Sequence, residues 1–473
     1  MRMSDQRMYE RVLASDASYN GRFFLGVLTT GIYCLPGCTA RKPKRENVRF
    51  FPTCEAAREA GLRPCKKCFP DDFAQGADPV LESIEALVAQ IRRDPAIFRD
   101  TGMIVRRSGF GSSRVFELFR LHYHQTPADL LLRARIKHSR TALLETMAPL
   151  TEVAANAGFE SLSVFHEHFR RLTGLTPGDY RKLPRGASFT VHLPTDYPLP
   201  YLRRALSRDG HSVSERLAGD DYTCATRIND RPALVSFQLA DETIEVAASP
   251  DNVAVHQMVS GLLGLGQDAE GFARLAQKLG LARLVHGRTG LRISQTHSVF
   301  DGLLWSIIGQ QINFSFACQL RRRLIELAGT PLDHGLIAPP TPGAVAALKP
   351  ADLIALKFSR QKAAYVIDVA RLVVEGNLDL HALAQGSATR AERTLLDIRG
   401  LGPWSVNYLM MRALGFADCV PYGDTGVTSG LQALFKLKQR PDVDATRRLM
   451  AVFAPYRSLA TAHLWQFNQP MQT

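Results

Sequence analysis

The sequence predicts a multidomain α+β protein. Its parts are a small cysteine-rich α/β module, an all-α domain of two helix-turn-helix units, a small antiparallel α+β domain and an all-α C-terminal lobe. Three observations carry this. Two close cysteine pairs fall within residues 1–78. A helix–turn–helix plan occurs twice between residues 79 and 183, and an internal repeat weighs more than either copy alone. Period-two segments are confined to residues 187–290 and give way to helical periodicity over 291–473. A chain of 473 residues also exceeds what one core holds, about three domains being the ordinary number.

The composition, 45% hydrophobic and 22% charged, is that of a folded soluble protein. A formal net charge of +13 fits a polyanionic partner, either nucleic acid or an acidic membrane surface. No run of about eighteen apolar residues offers a membrane span. The start, MRMSDQRMYERVLASD, has no apolar core for a signal peptide. A cytoplasmic location is expected, and there clustered cysteines act as ligands or nucleophiles before they act as disulfides.

Residues 1–78 hold Cys34-x3-Cys38 and Cys65-x2-Cys68 around a basic, partly strand-like stretch. Two such knuckles can set four thiolates tetrahedrally about one Zn²⁺; four unrelated buried thiols are the alternative. Cys54 has no partner at ligand spacing and reads as a small core residue. Arg41, Lys42, Lys44, Arg45, Arg49, Arg63, Lys66 and Lys67 surround the knuckles and suit phosphate. A metal-bound thiolate stays deprotonated and nucleophilic, so the site is either structural or a nucleophile for an electrophilic lesion.

The stretches DQRMYERVLASD, TTGIYCLPGCTARKPKRENVRF and GLRPCKKCFPD resemble the N-terminal module of the Ada family of adaptive-response regulators. That resemblance implies one zinc ion, structural and thiolate-activating, on Cys34, Cys38, Cys65 and Cys68. It implies that Cys34 takes a methyl group, once and irreversibly, from a methylphosphotriester in DNA. Loss of thiolate charge would then strengthen DNA binding, an electrostatic switch. Arg41 and Arg45 match the family's DNA-contacting basic residues.

Over residues 79–183, a break at Gly109–Gly111 is followed by Ser112 as an N-cap and by Val115, Phe116, Leu118 and Phe119 at helical spacing. Residues 128–147 read as one connecting helix. The plan then repeats: the Gly158-Phe159 turn, Ser161 as cap, an amphipathic helix, Gly174 and Thr176-Pro177. In each unit the second helix can enter a major groove, with Ser113 and Arg114, or Ser163, His166 and Arg170, facing DNA; a helical bundle with a polar outer face is the alternative. Ala154-x3-Gly158-Phe159, Phe165-x3-Phe169-Arg170 and Gly174-x-Thr176-Pro177 resemble the AraC-type transcription-factor domain, the second unit more closely than the first. The likeness implies promoter binding, transcription activation and RNA polymerase as a partner. The Pro-Cys-His-Arg site of an alkylguanine transferase, which follows these modules in Ada proteins, occurs nowhere in the chain. Reversal of base alkylation by a second cysteine is therefore not expected.

Leu183-Pro184-Arg185-Gly186 reads as a linker. SFTVHLP, DYTCATRI, PALVSFQLA and ETIEVAAS after it are strand-like, and PLPYLRRALSRD and NVAVHQMVSGLLGL are helical. His211 and Cys224 lack partners at useful spacing and read as packing residues, and residues 187–290 as a scaffold.

In residues 291–473 helices joined by short loops predominate. Gly400-Leu401-Gly402-Pro403 runs into an apolar helix from Trp404, and Asp424 follows a Pro-Tyr-Gly loop. Such a turn lets backbone N–H groups face a phosphate, with a carboxylate nearby; an ordinary turn with an exposed Asp is the alternative. Trp305, Trp404, Tyr408 and Tyr456 can stack a base or simply pack.

IIGQQI, Lys357-x2-Arg360-x2-Ala363, IRGLGPWSVNY, PYGDTGV and YRSLATAHLW together resemble the helix-hairpin-helix DNA glycosylases, within them the AlkA branch of 3-methyladenine glycosylases. The match runs over about residues 187–468, faintly in the strand-rich part. It implies an all-α helix-hairpin-helix glycosylase lobe that hydrolyses the bond between sugar and alkylated base in double-stranded DNA. Asp424 matches the catalytic aspartate, Trp404 and Tyr408 match base-pocket aromatics, and Tyr456 stands where the best-known member has Trp. Gln311 matches the wedge that fills the flipped nucleotide's place, and Gly400 and Gly402 the hairpin on the DNA backbone. Members that also cut the strand carry Lys where this chain has Trp404, so no Schiff-base nucleophile is expected. The whole is expected to be a monomeric, bacterial, nucleoid-associated protein with no membrane partner. Its zinc and helix-turn-helix modules either relay methylation to transcription or only bind DNA.

Overall fold

The computed structural model describes residues 3–16, 19–247 and 251–467. Its contacts divide the chain into two compact units, residues 1–90 and 91–473.

In the first unit a four-stranded sheet carries the cysteines. Its strands are β1 (Phe24–Val27), β2 (Ile32–Cys34), β3 (Val48–Phe51) and β4 (Arg63–Pro64), in the order β3-β1-β2-β4, antiparallel except for β2 with β4. Phe24, Tyr33, Leu35, Phe51, Ala57 and Leu62 form the core beneath. Cys54 lies buried in it, its thiol donating to Pro70 O at 3.4 Å. Helix Cys54–Glu59 starts where the Thr53 hydroxyl accepts Ala56 N–H, satisfying one orphan donor.

The second unit opens with the repeated plan. Thr101–Ser108 and Ser112–Tyr123 meet at Gly109, whose φ of 70° glycine adopts at the least cost. Gly111, not Ser112, occupies the cap position of the second helix, because the hydroxyl that sequence offers lies one residue inside. The connecting helix spans Pro127–Glu145 behind a Thr126–Asp129 capping box. Leu150–Asn156 and Leu162–Thr173 repeat the pair, with the Ser161 hydroxyl accepting Val164 N–H and Gly174 closing at φ 69°.

Residues 183–186 are not a free linker. Leu183–Arg185 is a short 3-10 turn with Leu183 buried, and the Asn252 amide donates to Leu183 O and Gly186 O at 3.2 and 2.7 Å. One core consequently joins Phe165, Phe169 and Tyr180 of the second helix-turn-helix unit to Val191, Tyr222 and Val246 of the next sheet. That sheet is antiparallel and contains β5 (Ser188–His192), β6 (Glu215–Ala218), β7 (Asp221–Ile228), β8 (Arg231–Leu239) and β9 (Thr243–Ala247), in the order β5-β9-β8-β7-β6. β6 escapes notice in the sequence because it is a short half-buried edge. Cys224 is fully buried, whereas His211 is exposed, correcting its reading as a packing residue.

From Val299 onward helices dominate, around a core that includes Leu303, Ile307, Val366, Leu409, Leu431 and Leu464. One two-residue ladder, Thr330–Pro331 with Ile337–Ala338, interrupts them. The first helix-turn-helix unit rests on this lobe. His122 Nδ1 lies 2.9 Å from Thr389 Oγ1, and Asp418 N donates to His124 Nδ1 at 3.1 Å. Among the described residues no helix is long and apolar enough to cross a membrane.

Candidate active site and metal centre

The glycine turn is shaped by one ring. Gly400 has φ 96°, and a Cβ there would stand 2.4 Å from the Tyr365 ring. Gly402 caps helix Pro403–Arg412 with φ −89° and open space where a Cβ would go, so its N-terminal N–H groups face outward. Gln310 ties the turn down, donating to Gly400 O at 2.7 Å and Ser405 Oγ at 2.9 Å, while Ser405 Oγ donates to Ser306 O at 3.1 Å. The buried Lys362 ammonium donates to Ile308 O at 2.8 Å. Next to these, Gln311 is exposed in the left-handed region at φ 54°.

Asp424 is the N-cap of helix Thr425–Phe435, its Oδ1 accepting Val427 N–H at 2.9 Å. Two indoles reach the same carboxylate. Trp465 Nε1 donates to Oδ1 at 2.8 Å and Trp404 Nε1 approaches Oδ2 at 3.3 Å. Gly426 makes room, since a Cβ there would lie 2.7 Å from Trp465 Cδ1. Asn407 Oδ1 accepts Val420 N–H at 3.2 Å and so helps fix the loop that delivers Asp424.

A cavity of about 430 Å³ opens at this carboxylate. Trp404 and Tyr408 stack along one wall, 5.2 Å apart and 19° from parallel, and Trp465 tilts against Tyr408 at 6.1 Å. Trp305 Nε1 donates to Tyr408 Oη at 3.1 Å. Tyr197, Tyr201 and Arg208 from the small α+β domain complete the lining, so residues 187–290 contribute to the site as well as supporting it.

Tyr456 does not line this cavity. Its hydroxyl donates to Asp268 Oδ2 at 2.8 Å and its ring meets Phe272 at 6.4 Å. Trp465 takes the place assigned to it, nine positions further along the chain and on the cavity face of helix Arg457–Phe467. The sequence signal for Trp465 was present in YRSLATAHLW, but the phase of the last helix decides which aromatic turns inward.

In the first unit Cys34, Cys38, Cys65 and Cys68 bring their sulfurs within 4.8 Å of one another, the first three buried. Leu35 N donates to Cys68 Sγ at 3.3 Å and Lys67 N to Cys65 Sγ at 3.4 Å, contacts that favour thiolates. The sulfurs compete for charge: hydrogen bonding from Cys34 draws Cys38 down to about 7 and lowers Cys65, while Cys34 and Cys68 are driven up by their sulfur neighbours. A dication resolves that competition, and four sulfur donors at this spacing suit zinc. Cys34 also lines a cavity of about 220 Å³ together with Arg41 and Lys42. Arg41 is exposed, whereas Arg45 pairs with Asp5 at 3.3 Å and lies over the Tyr9 and Phe50 rings, so it is largely engaged within its own module.

On helix Leu162–Thr173, Ser163 and Arg170 are exposed and His166 half-buried, beside exposed Leu162 and Val164. In the first helix-turn-helix pair Arg114 is half-buried and paired with Glu117 at 2.9 Å.

Fold and sites thus define a metal-binding module, a helix-turn-helix module and a helix-hairpin-helix lobe in one chain. Family models agree: the metal binding domain of Ada matches residues 7–71, a helix-turn-helix domain residues 104–183, and the HhH-GPD superfamily of base excision DNA repair proteins residues 304–455. The regulatory protein Ada of Salmonella typhimurium is 34% identical over 278 residues, 57% of this chain and 74% of the relative. The chain belongs to the Ada family, with a helix-hairpin-helix lobe as its C-terminal part. It is 27% identical over 494 residues, 97% of this chain and 96% of the relative, to a Mycobacterium tuberculosis protein described as a probable bifunctional transcriptional activator/DNA repair enzyme AlkA. The 3-methyladenine DNA-glycosylase of Archaeoglobus fulgidus shares the fold, with a TM-score of 0.51 and 21% identity, over 59% of this chain and 98% of that one.

Proposed function

We propose that this protein answers alkylation damage in DNA in two ways: Asp424 drives hydrolytic excision of alkylated bases, and Cys34 accepts methyl groups from methylphosphotriesters as a signal for transcription. The observation that carries the first part is a carboxylate held by two indole N–H groups at the mouth of an aromatic cavity beside an open helix N-terminus.

The chemistry follows from those residues. N-alkylation gives a purine positive charge and makes it a good leaving group. The N–H groups after Gly402 hold the DNA backbone while the nucleotide turns out and its base stacks against Trp404 and Tyr408. Gln311, on its exposed turn, fills the vacated place. As the C–N bond breaks, the Asp424 carboxylate stabilises the oxocarbenium-like sugar and orients the water that attacks it. Trp404 stands where a lyase would present Lys, so the strand stays intact and the protein is a monofunctional glycosylase.

Cys34, Cys38, Cys65 and Cys68 would hold zinc, which keeps the thiolate available at neutral pH. The Cys34 sulfur attacks the methyl carbon; an S–C bond forms, the C–O bond breaks, and the phosphodiester leaves as an anion. Arg41, exposed beside Cys34, contacts backbone phosphate. Loss of sulfur charge then favours promoter binding through Ser163, His166 and Arg170 and recruitment of RNA polymerase.

One experiment tests both parts. On methylated duplex DNA, wild-type protein releases bases without strand breaks and gains a methyl group on Cys34, read by mass spectrometry. Asp424→Asn loses base release and keeps the methyl transfer; Cys34→Ala does the reverse. Strand breaks without added base, or an unlabelled Cys34, overturn the respective part. An unlabelled Cys34 would leave a glycosylase whose other modules only bind DNA.

A further inference from the structure

The excision cavity carries hydrogen-bond donors at some distance from Asp424. Trp404, Tyr408 and Arg412 repeat at four-residue spacing along helix Pro403–Arg412 and all line the cavity. At about 1.5 Å per residue, Arg412 lies about 12 Å along the helix from Trp404, which contacts Asp424, a span that accommodates a purine between sugar and floor.

The accounting at Tyr408 is specific. Trp305 Nε1 donates to its oxygen at 3.1 Å and the Arg412 guanidinium faces the same oxygen. With donors on both lone pairs, the hydroxyl proton is left for a further acceptor, which a base in the cavity can supply. Arg412 Nε is buried and has no acceptor. Asp424, at the opposite end, is the one carboxylate among the described residues that line the cavity. A smaller adjoining cavity of about 120 Å³ also touches Tyr408 and Arg412. Its carboxylates are already engaged, Asp301 by Arg321 at 3.1 Å, Asp209 by Arg322 at 2.6 Å and Glu215 by the Tyr222 hydroxyl at 2.8 Å. Arg208 adds a second guanidinium, 4.3 Å over the Phe314 ring.

We infer that Tyr408 and Arg412 make this end of the cavity a donor floor that selects extruded bases with an acceptor at the edge farthest from the sugar. For a purine this is a carbonyl oxygen at the 6-position, in preference to an amino group there. This rests on the excision reading above and names which bases that site takes. A 6-oxo base offers its carbonyl to the buried Arg412 Nε and the Tyr408 hydroxyl, whereas a 6-amino base sets its N–H groups against these donors and keeps only ring N1 as an acceptor at that edge.

The test compares duplexes carrying 7-methylguanine or 7-methyladenine, two cationic bases with the same methyl position. They differ in the 6-substituent, at N1 and in guanine's 2-amino group, so that the change of the ratio in the Tyr408 and Arg412 variants, and not the ratio alone, reports on the floor. Single-turnover rates are measured on each. The wild type excises 7-methylguanine faster by about tenfold, the discrimination that a well-placed donor pair gives. Arg412→Met abolishes most of that ratio, Tyr408→Phe lowers it, and Arg412→Lys, which keeps a donor, retains part. The ratio is taken within one preparation and does not depend on the folded fraction. If Arg412→Met does not fold, Tyr408→Phe decides. A ratio unchanged in both variants, or a wild type preferring 7-methyladenine, overturns the inference and leaves the excision reading standing. A wild type that releases 3-methyladenine but neither 7-methyl base overturns this inference alone, and one that releases none of the three overturns the excision reading with it.

Discussion

Trp465 Nε1 donates to Asp424 Oδ1 at 2.8 Å, and that same oxygen accepts Val427 N–H at 2.9 Å. One carboxylate oxygen therefore caps a helix and carries an indole, while the other faces Trp404 at 3.3 Å across the cavity mouth. Backbone, side chain and cavity wall converge on one residue, and this allows its structural and chemical roles to be separated.

Asn caps helices as well as Asp does, so Asp424→Asn should keep the stability of helix Thr425–Phe435. It removes the negative charge that the developing cation needs, and base release should fall by about 100-fold or more. Asp424→Ala loses the cap too, and should cost about 1 kcal/mol of stability in urea unfolding beyond the Asn variant. Base release by Asp424→Asn at the wild-type rate would remove this residue from the chemistry.

Trp465→Phe keeps a ring at the cavity wall and deletes the donor to Asp424. Losing a hydrogen bond to a charged group costs about 1.5–3 kcal/mol, so excision should slow by at least about tenfold. Tyr456→Phe breaks only the contact with Asp268 outside the cavity and should leave single-turnover rates within about twofold, a change worth less than 0.5 kcal/mol on the usual scale of about 1.4 kcal/mol per tenfold. The pair of measurements distinguishes the two aromatics directly.

That distinction also marks what the sequence could reveal. Cys34, Cys38, Cys65 and Cys68 are legible because ligand spacing is local and few folds scatter thiols that way. The Gly400–Gly402 turn and the Asp424 cap are local as well, each opening a helix within a few residues, although Tyr365 and Trp465, which shape and hold them, come from elsewhere in the chain. Which aromatic faces the cavity depends instead on where the last helix begins and how it is rotated, and Tyr456 lies just outside helix Arg457–Phe467. Tyr197, Tyr201 and Arg208 reach the cavity from a domain more than 200 positions before Asp424, and no local pattern announces such a contact. Residues 183–186 look like a linker by composition, yet Asn252 pins them from a distant helix.

Gly400→Ala and Gly402→Ala should behave oppositely. At Gly400 a Cβ meets both a φ of 96° and the Tyr365 ring at 2.4 Å, so the variant should lose about 2 kcal/mol or more of stability. At Gly402 the backbone is ordinary and the space is open, so stability should be kept. The added methyl group would instead stand where backbone phosphate approaches, and duplex affinity should drop by about fivefold to tenfold in a binding titration. Equal affinity for Gly402→Ala and wild type would mean that DNA does not approach this turn closely.

Acid should destabilise the second unit through histidines buried in neutral form. His124 and His256 are pushed down to about 4 and His463 to about 3, in each case chiefly by burial. Their contacts suit neutral rings: Asp418 N donates to His124 Nδ1, and His463 Nδ1 lies 3.1 Å from Leu284 O with its other nitrogen buried and unpartnered. An unfolded histidine titrates near 6.5, so between that pH and the folded value the unfolded chain binds more protons. Stability is therefore fully present above about pH 6.5 and falls as the pH drops towards 4, by about 2 kcal/mol per histidine at pH 5. Urea unfolding at pH 7 and pH 5 should show that loss, and His463→Gln should reduce it by about the contribution of one histidine. An equal loss in His463→Gln and wild type would show that this ring is protonated in the folded protein as readily as in the unfolded one.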